Sequence, residues 1–162
     1  MTQLRVVVMG VSGCGKSSVA ESVATRCDAL FVDADAFHLP SSIEKMSAGV
    51  PLADDDRWPW LLRLERELAA RDRVVMACSA LRRSYRDILR RAGGVRFLFL
   101  DVSRDEVERR VASRSGHYMG TQMIASQFAA LERPEADETD ICTIAADAAI
   151  GIVTETAIEL AS

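Results

Sequence analysis

Lysine is nearly missing from this 162-residue chain: Lys16 and Lys45 stand against eighteen arginines. The skew is a compositional bias. Against it, each surviving lysine marks a position where a compact ammonium serves and a planar guanidinium does not. Cysteine is scarce and unpatterned. The thiols at 14, 27, 78 and 142 show no C-x-x-C pairing or other metal spacing, and they read as reduced residues of a cytoplasmic protein. Long apolar runs are lacking too. Nearly half the residues are hydrophobic, yet no run approaches the roughly 20 residues that a membrane span requires. There is no excess of positive charge. The net charge of −4 argues against nucleic acid as a partner, because affinity for a phosphate backbone needs a basic surface. At this length the chain can bury one substantial core and is short for two, so a single soluble domain over 1–162 is expected.

What the chain does have is a phosphate-binding signature. Gly10-Val11-Ser12-Gly13-Cys14-Gly15-Lys16-Ser17 spells G-x-x-x-x-G-K-S directly after the apolar run Leu4–Met9. A strand, a glycine-rich turn and then a helix form the setting in which this motif holds a nucleoside triphosphate. Backbone N–H groups from Gly10 to Ser18 can converge on the phosphates, since glycine leaves the concavity unfilled. Lys16 adds a point charge to the same oxygens, and the Ser17 hydroxyl suits the accompanying Mg²⁺. A nucleoside triphosphate with Mg²⁺ is therefore the expected ligand pair.

Apolar segments alternate with helical ones along the whole sequence. Strands are predicted at Leu4–Met9, Ala29–Val32, Val74–Cys78, Val95–Leu100 and Ile141–Ala145, most of them continuously apolar like parallel strands covered on both faces. Helices are predicted near Ser17–Cys27, Ser42–Ala48, Trp58–Arg71, Arg83–Ala92, Val107–Arg114, Thr121–Leu131 and Ala148–Leu160. Gly49 can end the second helix, Pro59 suits the first turn of the third, and Ser103 with Glu106 forms a capping box for the fifth. Asp54, Asp55 and Asp56 suit a helix start and its dipole. The alternation implies an α/β chain: a three-layer α/β/α domain with a five-stranded parallel sheet.

Ligands of such sheets bind beyond the carboxyl ends of the strands. The first strand leads into the phosphate loop, the second into Asp33-Ala34-Asp35 and His38, and the third into Ser79 and the basic stretch from Arg82 to Arg86. No N-K-x-D guanine signature is present, which argues against a GTPase switch, and the third strand lacks a terminal aspartate. Asp33 and Asp35 are the substitutes: one holds Mg²⁺ and the other accepts the proton of an acceptor hydroxyl. Arg110 and Arg114 lie one helical turn apart and lead into the glycine-bracketed segment Gly116–Gly120, which suits a mobile lid over about 114–131. Their guanidinium groups can neutralise charge on the transferring phosphoryl.

The ordered set of motifs resembles the gluconate kinases. It comprises Gly-Val-Ser-Gly-x-Gly-Lys-Ser at 10–17, Asp33-x-Asp35 with His38, Ile43-Glu44-Lys45-Met46 and Pro51-Leu52. Asp54-Asp55-Asp56-Arg57, Pro59-Trp60-Leu61, Cys78-Ser79-Ala80-Leu81 and Tyr85-Arg86-Asp87 follow. Gly116-His117, Gln127-Phe128 and Leu131-Glu132-x-Pro134 complete it, so the resemblance covers essentially the whole chain. It implies a nucleoside-monophosphate-kinase-like P-loop fold, ATP-dependent phosphorylation of D-gluconate at its 6-hydroxyl, and a homodimer. The family often has Gly where Ala34 stands, Pro where Leu39 stands, Asn where Ser42 stands, and lysines where Arg82 and Arg83 stand.

Gluconate is an anion bearing five hydroxyls, so its pocket needs cations and neutral or acidic hydrogen-bonding groups. Lys45, Arg57 and Arg86 are the candidate cations, and Asp35, His38, Ser79, His117 and Gln127 the candidate hydroxyl partners. Arg82, Arg86 and Arg90 also recur every four residues, as on a solvated helix face, and Arg90 and Arg91 are expected at the surface. Trp60 is expected to be more buried than Trp58. Another small-metabolite kinase of this fold, acting on shikimate, adenylylsulfate or a nucleoside monophosphate, is the nearer alternative. A non-catalytic ATP-binding module is the more distant one.

Overall fold

In the computed structural model, the backbone of residues 2–115 and 120–162 and the side chains of 2–113 and 123–162 are described. Five parallel strands, β1 Leu4–Met9, β2 Leu30–Asp33, β3 Arg73–Ala77, β4 Val95–Asp101 and β5 Ile141–Ala145, lie in the order β2-β3-β1-β4-β5. Every residue of β1 is buried, as expected for the central strand, while the edge strands β2 and β5 carry exposed positions.

Alternation along the central strands divides the interior into two layers. Val6 and Val8 face α1 (Lys16–Arg26) and α7 (Ile150–Ala161), packing with Val19, Val23, Val153 and Ala157. Val7 and Met9 face α3 (Asp54–Ala69) and α4 (Arg83–Arg90), packing with Leu61, Leu64, Leu68 and Leu89. Each fully buried leucine contributes about 1.5–3 kcal/mol of apolar burial, so the helix spacing read from sequence is also where stability is concentrated. Trp60 is buried and Trp58 only partly so.

The remaining helices are α2 Pro40–Ser47, α5 Arg104–Ser115 and α6 Gly120–Ala130. A short 3-10 turn, Ala34–Phe37, follows β2 and was not expected. The third helix begins at Asp54 rather than Trp58, so Pro59 lies in its second turn and forfeits the bond an N–H would make to the Asp55 carbonyl. Asp54, Asp55 and Asp56 fill the first turn, and Asp56 accepts the Ala53 N–H at 2.9 Å. Gly49, at φ 74, closes the second helix as expected. The capping box of the fifth is half formed. Ser103 Oγ accepts the Glu106 N–H at 3.2 Å, but Asp147 takes the Ser103 N–H at 2.7 Å and Glu106 turns to Arg109 and Arg110.

One charged residue sits inside β1. Arg5 is buried and donates to the carbonyls of Ala69, Arg71, Ala92 and Gly93 at 2.9–3.1 Å. These carbonyls lie at and just beyond the C-terminal ends of α3 and α4, where unpaired acceptors and the negative dipole end invite a cation. Arg5 thus ties both helices to the end of the central strand opposite the phosphate loop.

Candidate active site

The turn after β1 takes a form that only glycines permit. Gly10, Gly13 and Gly15 all have positive φ, at 148°, 82° and 96°. A Cβ on Gly10 would stand 2.9 Å from Cys14 Sγ, and one on Gly15 would stand 2.8 Å from Ile150 Cδ1. Gly15 precedes α1 without any side-chain cap, so the first N–H groups of the helix remain free for an anion. Lys16 reaches back to the Val11 carbonyl at 3.1 Å, holding its ammonium across the loop.

A cleft of about 230 Å³ opens here, lined by Ser12, Gly13, Gly15, Lys16, Ser17, Ser18, Asp33, Asp35, Ala77, Cys78, Ser79 and Gln127. It draws on the ends of β1, β2 and β3, as the strand-end rule requires. Burial raises both neighbouring thiols, Cys78 to about 12, so neither Cys14 nor Cys78 supplies a thiolate nucleophile.

Asp33 and Asp35 occupy opposite ends of one local device. Asp33 Oδ1 accepts the Asp35 N–H at 3.0 Å and so caps the 3-10 turn. The Asp35 side chain is exposed to the cleft, and His38 Nε2 stands 3.6 Å from its Oδ1. The contact with His38, and then the charge of Lys16, hold the Asp35 carboxyl below the usual carboxylate range. It is therefore ionised at neutral pH. Helix α3 secures the turn from behind: Trp60 Nε1 donates to the Ala34 carbonyl at 2.8 Å and Arg63 to the Phe37 carbonyl at 2.9 Å.

Ser79 enters the cleft from a strained turn. The next residue, Ala80, has φ 45 although it carries a side chain, and it is buried. Arg86 explains how the turn is held. Its Nη1 donates to the carbonyls of Ala80 and Leu81, while Nε and Nη2 grip Glu138 at 2.9 Å each. Arg86 is 0% exposed, so it cannot meet a substrate carboxylate, contrary to the expectation from its motif. The buried guanidinium has spent its donors on one carboxylate and two carbonyls. Arg90 is likewise not a surface residue. It is partly buried, paired with Asp87, Glu138 and Asp140, and lies over the Phe97 ring. Arg91 is exposed as expected.

The other expected cations lie outside the cleft lining. Lys45, on α2, is held by both oxygens of Asp56 at 2.8 and 3.0 Å. Arg57 donates to the Leu52 carbonyl at 2.6 Å and packs over the Tyr85 ring. Tyr85 in turn donates to Asp54 at 2.5 Å; burial and this bond raise its phenol, while the charges of Arg57 and Arg82 oppose the shift. Arg82 opens the basic stretch that follows the third strand and is also the first member of the arginine recurrence. It is exposed beside the Ser79 turn, and among the described residues it has no ion pair, unlike Arg83, Arg86 and Arg90.

Gln127, on α6, accepts the Ser12 N–H at 2.6 Å, joining this helix to the phosphate loop. Arg110 pairs with Glu106 and donates to the carbonyls of Cys14, Ala146 and Ala148 at 2.7–3.4 Å. It bridges the phosphate loop and the turn before α7 instead of pointing freely into the cleft. The Arg114 side chain and His117 lie outside the described residues.

A family model described as an AAA domain matches residues 6–134. The chain is 44% identical over 156 residues to the thermoresistant gluconokinase of Escherichia coli (strain K12), covering 93% of this chain and 89% of that protein. A crystal structure of a gluconokinase from Sinorhizobium meliloti 1021 matches with a TM-score of 0.91 at 41% identity, covering 98% of this chain and 94% of that one. A shikimate kinase from Bacteroides thetaiotaomicron, at 19% identity and a TM-score of 0.67 over 98% of this chain and 96% of that one, shares the fold alone.

Proposed function

The chain belongs to the gluconokinase family, and on that premise we propose that it transfers the γ-phosphoryl group of ATP to the 6-hydroxyl of D-gluconate, giving 6-phospho-D-gluconate. The observation that carries this reading is that Lys16 and Asp35 face one cleft, from the phosphate loop and from the end of the neighbouring second strand. A phosphate held by the loop and a hydroxyl held by Asp35 then meet between them, which is the arrangement phosphoryl transfer needs.

The loop's free N–H groups and Lys16 bind and orient the polyphosphate, and Lys16 stabilises charge that develops on the transferring group. Mg²⁺ would supply positive charge to offset that of the phosphates. Ser17 and Asp33 would hold it, and both line the cleft. A hydroxyl and one carboxylate suit an ion that keeps much of its water and takes its other ligands from phosphates. No group of three or more His, Cys, Asp or Glu that could hold a metal ion occurs among the described residues. Asp35 positions the acceptor hydroxyl and takes its proton, while Ser79 binds a neighbouring hydroxyl. The carboxylate of the sugar acid is read by cations drawn from Lys45, Arg57 and Arg82.

The same reading treats 1–162 as a single kinase unit whose segment 114–131 closes over the reactants, with Arg114 and His117 contributing from it. It also expects a homodimer and a cytoplasmic location. Among the described residues no helix is long and apolar enough to cross a membrane.

ADP release with ATP, Mg²⁺ and a panel of acceptors tests the assignment. Gluconate should be turned over in clear preference to other aldonic acids, glucose, shikimate and adenylylsulfate. Turnover of shikimate or adenylylsulfate without turnover of any aldonic acid would move the chain to another activity of the same fold. Tight ATP binding with no turnover of any acceptor would make it a binding module.

A further inference from the structure

His38 carries a hydrogen-bonding problem that the proposed mechanism leaves unused. Its side chain is only 7% exposed, and its Nδ1 is buried with no hydrogen-bond partner. A bare ring nitrogen tolerates such a place better than an N–H lacking an acceptor. The burial of Nδ1 thus favours the tautomer with its proton on Nε2. Nε2 faces Asp35 Oδ1 at 3.6 Å. That separation is longer than a hydrogen bond, and such contacts commonly tighten once the reactants are bound.

The ring has little freedom to do anything else. It stacks on Trp60 with centroids 4.3 Å apart and planes 12° from parallel. Trp60 is itself fixed by its 2.8 Å bond to the carbonyl of Ala34, the residue directly before Asp35. The platform, the ring and the carboxylate are thus parts of one rigid turn, with α3 as its backing. In this arrangement Oδ1 is directed toward His38, and Oδ2 is the oxygen left for the acceptor hydroxyl.

We propose that His38 is a positioning residue that acts through Asp35, fixing the rotamer of the carboxylate that receives the acceptor proton, and is not a ligand of the sugar acid's own hydroxyls. The proposal rests on the phosphoryl-transfer reading above. A ligand of the substrate would show mainly in KM, whereas a residue that aims the base shows in kcat and only while the base is present.

A double-mutant cycle separates these cases. His38→Phe keeps the flat ring and its stacking but removes the Nε2 donor. It should lower kcat by about 10- to 100-fold while leaving KM for gluconate and for ATP within about threefold. In an Asp35→Asn background the same replacement should cost less than about twofold, because the charged carboxylate it orients is gone. His38→Gln, whose amide nitrogen falls near the position of Nε2, should recover most of the lost kcat. Circular dichroism and thermal melting check folding; if His38→Phe does not fold, His38→Leu with and without Asp35→Asn carries the test. A rise in KM for gluconate matching the loss in kcat/KM, or an equal cost with and without Asp35, overturns the proposal. A wild-type enzyme idle on gluconate but active on another acceptor defeats the substrate reading alone, since the cycle is then run on that acceptor.

Discussion

Asp33 and Asp35 are two residues apart, yet the structure gives them different surroundings. Asp33 is tied to the backbone of the turn, while Asp35 stands exposed in the cleft beside Lys16 and His38. Asp35→Asn should therefore lower kcat by orders of magnitude with little change in ATP affinity, because it removes the proton acceptor and keeps the shape. Asp33→Asn should instead raise the Mg²⁺ concentration needed for half-maximal rate. Steady-state kinetics across a Mg²⁺ titration checks both, and identical behaviour of the two variants would contradict the division. The basic residues sort in the same way. Lys45→Met, Arg57→Met or Arg82→Met at the residue that reads the carboxylate should raise KM for gluconate by about one to two decades, the worth of a charge-assisted contact. Weak turnover of glucose, which has no carboxylate, should change much less. Arg86→Met should instead lower stability, since Glu138 would be left buried with Arg90 as its remaining cation. If none of the first three variants shifts the preference for acid over sugar, the carboxylate is read elsewhere.

At the scale of elements, the turn bearing Ser79 depends on a partner far away in sequence. Helix α4 brings Arg86 under the strained Ala80, and the segment after α6 brings Glu138 to Arg86. Burial would raise the Glu138 carboxyl, but hydrogen bonds from Arg86, from the backbone at Glu135 and from Arg90 hold it at about 2. A carboxyl depressed in the folded state stabilises fully above its unfolded value and loses that contribution as pH falls through the folded one. Glu138→Gln should cost about 3–5 kcal/mol near neutral pH, the usual penalty for breaking a buried pair. The gap between wild type and variant should narrow as pH falls from about 4.5 toward 2. Denaturant midpoints at neutral and acid pH measure this, and a gap independent of pH would contradict it. The start of α3 shows why this level is harder to read from sequence. Its first turn is mostly exposed, so apolar periodicity begins only at Trp58, while the acidic trio that does mark the start carries no period.

Across the whole molecule, the legible features were those that local chemistry decides. The strand ends, the glycine loop and the two aspartates lie within a few residues of one another in the chain or follow one periodic rule, and the structure sets them around one cleft. The features that could not be read depend on which distant segments meet. Arg86 looks like a substrate cation until Glu138, 52 residues on, is seen to neutralise it. Arg5 looks anomalous in a core strand until the ends of α3 and α4 supply its acceptors. The arginine excess acquires a physical use from this folding. Arg5, Arg73 and Arg86 each bind more than one backbone carbonyl, which a forked guanidinium does better than an ammonium. Lys16, whose single charge must sit across the phosphates, is the exception that the nucleotide requires. The central claim is transfer to the primary hydroxyl of gluconate, and proton-coupled phosphorus NMR of the product tests it most directly. A phosphomonoester at C6 is split by two methylene protons, so the account predicts a triplet that appears as ADP accumulates. A doublet, from an ester on a secondary carbon, or the appearance of inorganic phosphate alone would contradict it.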